Sequence, residues 1–298
     1  MLDALIVGGG PAGLTAAIYL GRYKRRFAVI DAGDSRAAWI PITHNHPGWP
    51  DGIKGTDLLA RIRQQAEIYG PDIREGMVEA IKPIDGGFEV TIDGRTVTAA
   101  NVLLACGVKD NDPPLPGVED AIRKALIRIC PICDGYEVSG QAVGVLGDGP
   151  LGVREALFIQ TWTDDITLVH VGPPDALSAE DRDKLTKANI TLIETACESV
   201  VLENDTLTAL CFGPDHTLRF DALYAALGCT ARSDLAIQAG ARLDDAGRLF
   251  VDDHQQTSIP GLFAAGDLVR GLNQITTAEG EASIAATAIH NRLRGVLP

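Results

Sequence analysis

Two thiols stand two residues apart in the stretch Cys130-Pro131-Ile132-Cys133-Asp134-Gly135-Tyr136. A pair so spaced can close a small disulfide ring and reopen it, and the acid after the second cysteine is placed to carry protons for that chemistry. The same spacing also serves zinc. A zinc site needs four ligands, however. Cys106, Cys197, Cys211 and Cys229 stand alone in sequence, which leaves His44 and His46 as the nearest candidates. Redox use is the stronger reading, and no metal is expected. Asp134 also has a plainer role open to it, as a helix cap or turn residue.

A second kind of chemistry is carried by two glycine loops. Gly8, Gly10 and Gly13 fill a G-x-G-x-x-G directly after the apolar run Ala4 to Val7. The first glycine allows the tight turn and the second lets a pyrophosphate approach the backbone. The third lets the following helix pack close to the strand. That helix, over Leu14 to Leu20, would point its N-terminus at the pyrophosphate. Phe27 to Ile30 makes the next strand, and Asp31, 18 residues after Gly13, closes it where an acid can bind a ribose hydroxyl. Gly147, Gly149 and Gly152 repeat the loop after Gln141 to Leu146, ahead of a helix over Val153 to Thr161 and a strand over Ile166 to Val169. There the pattern stops. His170-Val171-Gly172-Pro173-Pro174-Asp175 offers no acid at the strand end and no arginine for a 2′-phosphate, and Arg182 lies well past the turn. The second loop therefore speaks for fold more than for a nicotinamide dinucleotide.

Composition narrows the field. The net charge of -14 makes nucleic acid and anionic membranes poor partners. No apolar run approaches the roughly 20 residues that cross a bilayer. Residues 2–7 enter a strand without a basic region or cleavage site. A cytoplasmic address is expected, and disulfides there are usually transient and catalytic.

The elements that must position these groups read as follows. Thr56 to Tyr69 has a helical apolar face in Leu58, Leu59, Ile62 and Ala66. Gly76 to Thr98 alternates like a small sheet, with turns at Asp85-Gly86-Gly87 and Asp93-Gly94. Asn101 to Ala105 is a buried strand ending at Cys106-Gly107, with Cys106 a core residue. Asp112-Pro113-Pro114-Leu115-Pro116-Gly117 reads as a first crossing between domains, and Gly228-Cys229 as the return. Further strands are expected within 191–210 and 218–227 and at Leu249-Phe250-Val251, and a last helix over Thr276 to Leu293. His44 and His46, in a Pro-Gly loop, read as surface imidazoles.

Taken together, these residues resemble the low-molecular-weight thioredoxin reductases along nearly the whole chain. The resemblance implies an α/β fold of two Rossmann-like, three-layer ββα dinucleotide-binding domains. Residues 1–111 and 234–298 would form an FAD-binding domain, split by an NAD(P)-type domain of residues 112–233 that carries the Cys-x-x-Cys. By the same resemblance, Gly8, Gly10, Pro11, Ala12, Gly13 and Asp31 hold the FAD pyrophosphate and ribose, and Gly107 lies at the cofactor. Gly266 and Asp267, ending Thr257 to Asp267, make the second FAD motif. Gln274 and Ile275 lie under the isoalloxazine, and Asn45 reaches the flavin. Cys133 would face the flavin, Cys130 would meet the substrate, and Asp134 would act as acid and base. A homodimer is implied, with a thioredoxin-like protein or a small dithiol or disulfide as partner.

The departures from that family matter as much. Of its His-Arg-Arg run for the NADPH 2′-phosphate only His170 is present, and Ser35 to Ile40 lacks its usual Gly-Gly-Gln. NADPH or NADH is therefore expected to be a poor donor. Such losses are similar to those in relatives that oxidise small dithiols with oxygen, as in gliotoxin- and holomycin-type biosynthesis, although Asp134 after the second cysteine is reductase-like. A flavin redox sensor without turnover is a third reading, against which the intact cysteine pair counts.

Overall fold

Short apolar runs bracketed by turns favour buried parallel strands over helices. In the computed structural model, which describes residues 1–111, 115–116, 118–124, 126–203, 206–213 and 216–296, such runs build two parallel sheets. Residues 112–114 and 117, within the expected first crossing, lie outside the described residues. The chain divides into two compact units, one of residues 1–42, 46–109 and 230–298, the other of residues 43–45 and 110–229.

The first unit has a five-stranded parallel sheet. Its strands are β1 (Ala4–Val7), β2 (Phe27–Asp31), β3 (Asp72–Glu75), β7 (Val102–Leu104) and β18 (Leu262–Ala264), in the order β18-β7-β1-β2-β3. Alternate residues of these apolar runs serve opposite faces. Ile6, Val29, Leu103 and Phe263 pack with α1 (Pro11–Arg22), α2 (Gly55–Glu67) and α8 (Ile275–Leu293). Leu5, Val7, Ile30 and Leu104 share the second core with Phe88 and Val90 of an antiparallel meander. That meander is β4 (Val78–Ile84), β5 (Gly87–Ile92) and β6 (Arg95–Ala99), and α7 (Asp234–Gln238) packs on it. Helix, parallel sheet and meander make the three layers that the family resemblance implies.

The second unit repeats the parallel sheet in the order β12-β11-β10-β16-β9. Its strands are β9 (Ile127–Arg128), β10 (Val143–Gly147), β11 (Ile166–His170), β12 (Thr191–Ile193) and β16 (Ala222–Ala226). Val145, Leu168 and Tyr224 share a core with Val153, Ala156 and Ile159 of α5 (Gly149–Ile159) and Leu185 of α6 (Ala179–Lys187). α3 (Val118–Arg123) precedes β9, and α4 (Pro131–Asp134) is the single turn that holds the cysteines. A ribbon of β13 (Ser199–Glu203), β14 (Thr206–Cys211) and β15 (Thr217–Leu218) completes the unit. The connecting stretches β8 (Val108–Asp110) and β17 (Cys229–Ala231) pair with each other.

Two sequence expectations are corrected here. Residues 249–251 do not form a strand. Leu249 makes one antiparallel bridge to Leu243 and one parallel bridge to Val269, so no ladder propagates. The Phe250 ring instead meets the guanidinium groups of Arg242 and Arg270, each 4.7 Å from its centroid. His46 is not a surface imidazole. Its side chain is 13% exposed and its Nε2 lies 3.2 Å from Glu279 Oε2 on α8.

At Gly13 backbone meets backbone, and an added Cβ would lie 1.9 Å from the Gly8 carbonyl oxygen. No side-chain adjustment relieves a backbone clash. Gly13→Ala is expected to cost about 3 kcal/mol or more in urea unfolding. A parent-like midpoint would contradict this packing.

Candidate functional site

The crevice at the carboxyl end of β1 is built from backbone. Gly8 has φ +111, and a Cβ there would sit 2.3 Å from the Ala105 oxygen. Gly9 lies against Asp31, whose Oδ2 is 2.1 Å from where its Cβ would be. α1 then starts at Pro11, with Gly10 extended before it, no side-chain cap and no acid in the first turn. Pro11 lacks an N–H, so Ala12 and Gly13 are the first amides the turn offers. Asp31, Gly8, Gly10, Pro11, Ala12 and Gly13 are thus brought together at one strand end. Asp31 Oδ1 accepts from the Gly33 N–H at 3.0 Å, and its Oδ2 pairs with Arg63 of α2.

The second cofactor motif follows β18. Gly266 has φ +85, and its N–H donates to Glu281 Oε2 at 2.7 Å. Burial pushes the Glu281 carboxyl up. Arg36 Nη1 lies 3.4 Å from Asp267 Oδ2, and Arg248 Nη1 donates to the Asp267 carbonyl at 2.6 Å and to Asn273 Oδ1 at 3.0 Å. Gln274 caps α8 in extended conformation, again without a side-chain cap and with no acid in the first turn, and Ile275 opens the helix. Two helices that begin uncapped, with arginines beside them, suit a pyrophosphate. The cradle that a Cβ would fill at Gly8 and Gly13 suits its close approach. These residues fit an FAD.

Gly107 has φ +66 with open space where a Cβ would lie. Beside it the Cys106 sulfur faces the Val7 carbonyl at 3.7 Å, and burial pushes this thiol up to about 11. Cys106 packs at the edge of the second core, as expected of a small apolar residue.

In the second unit Cys130 is extended and leads into α4, with the buried Pro131 at its first position. Proline there sets a helical φ at no hydrogen-bond cost. The Cys133 N–H donates to the Cys130 carbonyl at 2.9 Å, and the two sulfurs are bonded, with Cα atoms 5.3 Å apart. Gly135 must be glycine, because a Cβ would lie 2.5 Å from the Trp162 ring. Asn45, grouped with this unit, donates from Nδ2 to the Ile132 carbonyl at 3.2 Å. Asp134 Oδ2 receives Arg128 Nη1 at 2.7 Å, and its Oδ1 receives the Tyr224 hydroxyl at 2.8 Å. Burial raises the Asp134 pKa, and Arg128 and Tyr224 act against that rise.

At the second glycine loop the close approach recurs, with a Cβ on Gly152 falling 2.8 Å from Gly147 Cα. The buried His170 turns back on the loop, and its Nε2 accepts from the Gly149 N–H at 3.1 Å. Asp148 Oδ1 lies 3.5 Å from the same nitrogen and occupies the space that a Cβ on Gly172 would need. Among the described residues, no group of three or more His, Cys, Asp or Glu is arranged to hold a metal ion. No helix of the described residues is long and apolar enough to cross a membrane.

Residues 2–282 match the family model of the pyridine nucleotide-disulphide oxidoreductases. The chain belongs to that family. Within it, the chain is 32% identical to the thioredoxin reductase of Mycolicibacterium smegmatis, over 95% of this chain and 94% of that one. The fold superposes on the thioredoxin reductase of Streptococcus pyogenes with a TM-score of 0.91, at 26% identity and 99% coverage of both chains. It superposes on HlmI with a TM-score of 0.90, at 29% identity, covering 99% of this chain and 93% of HlmI. The enzyme is a flavin-dependent thiol–disulfide oxidoreductase of thioredoxin reductase type, and family membership carries FAD binding with it.

Sequence reasoning passed over Arg36, Arg63, Arg128, Tyr224 and Glu281. Arg63, Tyr224 and Glu281 reach their partners across 32, 90 and 15 residues, and nothing local marks such pairs. Arg128 was the exception, a charge two residues before Cys130 in an otherwise apolar run.

Its raised pKa sets Cys106 apart chemically. With Cys106 held up at about 11, its thiolate is scarce at neutral pH and grows about tenfold per pH unit. After dithiothreitol reduction, iodoacetamide at neutral pH is expected to label the 130/133 pair and leave Cys106 unmodified in peptide mass spectra. Labelling of Cys106 as fast as the pair would contradict its burial.

Proposed function

We propose that the enzyme exchanges electrons between FAD and the Cys130–Cys133 pair, and between that pair and an external dithiol or disulfide, with NADPH an inefficient donor. Bound FAD supplies a two-electron store. The protein does the sulfur chemistry. A thiolate of Cys130 attacks one sulfur of an external disulfide and displaces the other as thiolate. Cys133 then attacks the Cys130 sulfur, closing the 130/133 bond and releasing the second external thiolate. Run backwards, the same two exchanges oxidise an external dithiol. Asp134, next in chain to Cys133, takes and returns the thiol protons as base and acid. Tyr136, 79% exposed, and Ile132, 45% exposed, give the pair an apolar approach surface for a thioredoxin-like protein or a small dithiol. The roles of Gly8 to Gly13, Asp31, Asn45, Gly107, Gly266, Asp267, Gln274 and Ile275 at FAD, a homodimer and a cytoplasmic address belong to the same proposal.

What supports the low rank of NADPH is the filling of the second glycine loop. The Gly149 amide, which a pyrophosphate would need, is engaged by His170, and the Asp148 carboxylate stands beside it. A phosphate approaching there meets a negative charge and a spent donor. Val171 and Gly172 supply no cation in compensation. The same observation favours, as a second reading, a dithiol oxidase that passes electrons to oxygen and makes hydrogen peroxide.

Stopped-flow mixing of the flavin-loaded enzyme with dithiothreitol, NADH and NADPH tests this. Bleaching of the flavin by the dithiol at least tenfold faster than by either nucleotide is expected. Fast bleaching by NADPH would overturn the donor assignment, and oxygen uptake with the dithiol would select the oxidase reading. Asp148→Gly combined with Val171→Arg and Gly172→Arg opens the loop and adds two cations, and is expected to speed NADPH bleaching about tenfold or more.

A further inference from the structure

Arg128 and Tyr224 are register partners on the adjacent parallel strands β9 and β16. Paired residues of neighbouring strands project to the same side of a sheet, and here both side chains converge on one carboxylate. Asp134 closes the single turn α4, so its side chain is carried by the ring that holds the cysteines. One oxygen faces the guanidinium and the other the phenol, and the Tyr224 hydroxyl also lies 3.2 Å from the Asp134 carbonyl. The carboxylate is 16% exposed and Arg128 30% exposed, so the pair is shielded from water more than a surface ion pair is. Two donors on two oxygens are what an ionised carboxylate asks for, and a neutral acid would waste one of them.

We propose that Arg128 is a positioning residue for the thiol chemistry: with Tyr224 it holds Asp134 as an oriented carboxylate, able to receive a proton from the adjacent dithiol. The step is a proton transfer from an S–H to the Asp134 carboxylate, leaving a thiolate and a neutral carboxyl, and no electrons move in it. It rests on the acid–base reading of Asp134 given above.

Three groups on the surrounding elements set that proton affinity. Burial raises it, Arg128 on β9 and the Tyr224 hydroxyl on β16 lower it, and Glu137 in the following turn raises it. α5, which also packs on α4, ends near Trp162, an uncharged ring against Gly135. Removing Arg128 leaves burial and Glu137 unopposed except by the hydroxyl. The carboxyl then stays protonated to higher pH, and its service as a base begins later on the pH scale. Removing only the tyrosine hydroxyl acts in the same direction and less strongly.

Two measurements on the full-length, flavin-loaded enzyme test this. The first follows the side-chain carboxyl carbon of Asp134 by NMR in the disulfide form, where the paired thiols do not titrate. Loss of its signal in Asp134→Asn gives the assignment. The second is the pH profile of dithiothreitol-driven flavin reduction. Arg128→Met is expected to raise the carboxyl midpoint by about one pH unit or more and to move the acidic limb of the profile up by the same amount. Arg128→Lys should recover most of both shifts, and Tyr224→Phe should produce a smaller shift of the same sign. A carboxyl midpoint that stays in place in Arg128→Met overturns the proposal. A midpoint that moves without the limb overturns it too, because the pair is then structural only. If Arg128→Met fails to fold, Tyr224→Phe and Arg128→Lys decide by the same criteria. Should Asp134→Asn keep the parent limb, the acid–base role itself fails, an outcome distinct from an Asp134-dependent limb that ignores Arg128.

Discussion

Backbone against backbone is the constraint from which the rest follows. Where β1 turns into α1, Gly13 lies so close to Gly8 that no Cβ fits, and at Gly147 and Gly152 the second unit repeats the approach. Only such contact brings the first amides of a helix to the end of a parallel strand, where a phosphate can be met without a side chain between. The helices cannot slide to relieve it, because α1 and α5 are fixed to their sheets by cores of fully buried residues such as Leu14, Leu103, Val145 and Ile159.

The two units use that shared geometry differently. In the first, Gly10 and Gln274 leave both helix starts uncapped, and Arg36 and Arg63 bring positive charge to the carboxylates nearby. In the second, His170 takes up the amide of Gly149, and Asp148 adds a negative charge. One crevice is prepared for an anionic cofactor, and the other is occupied by the protein's own side chains. It is on this arrangement that the proposed low rank of NADPH rests, with sulfur exchange assigned to the Cys130–Cys133 ring.

Much of this was legible in the residues themselves. Short apolar runs announced β1, β2, β10 and β11, because a buried parallel strand tolerates no polar alternation. The Cys-Pro-Ile-Cys spacing announced a ring. Leu249 to Val251 looked no different from those strands, yet Leu249 makes one isolated bridge to each of Leu243 and Val269 and builds no ladder. His46 looked solvated, and only the packing of α8 brings Glu279 to it. The grip on Asp134 was out of reach for the same reason: Tyr224 comes from 90 residues away, and register between strands is decided by the whole sheet.

The central claim is that the sulfur of Cys133 exchanges electrons with the bound flavin, and its most direct test is the long-wavelength absorbance of single-cysteine variants. With Cys130→Ser the remaining Cys133 thiolate is expected to give a charge-transfer band beyond the main flavin absorption, growing with pH, whereas Cys133→Ser gives none. A band that survives in Cys133→Ser, or is absent from Cys130→Ser at every pH with flavin bound, would contradict the account.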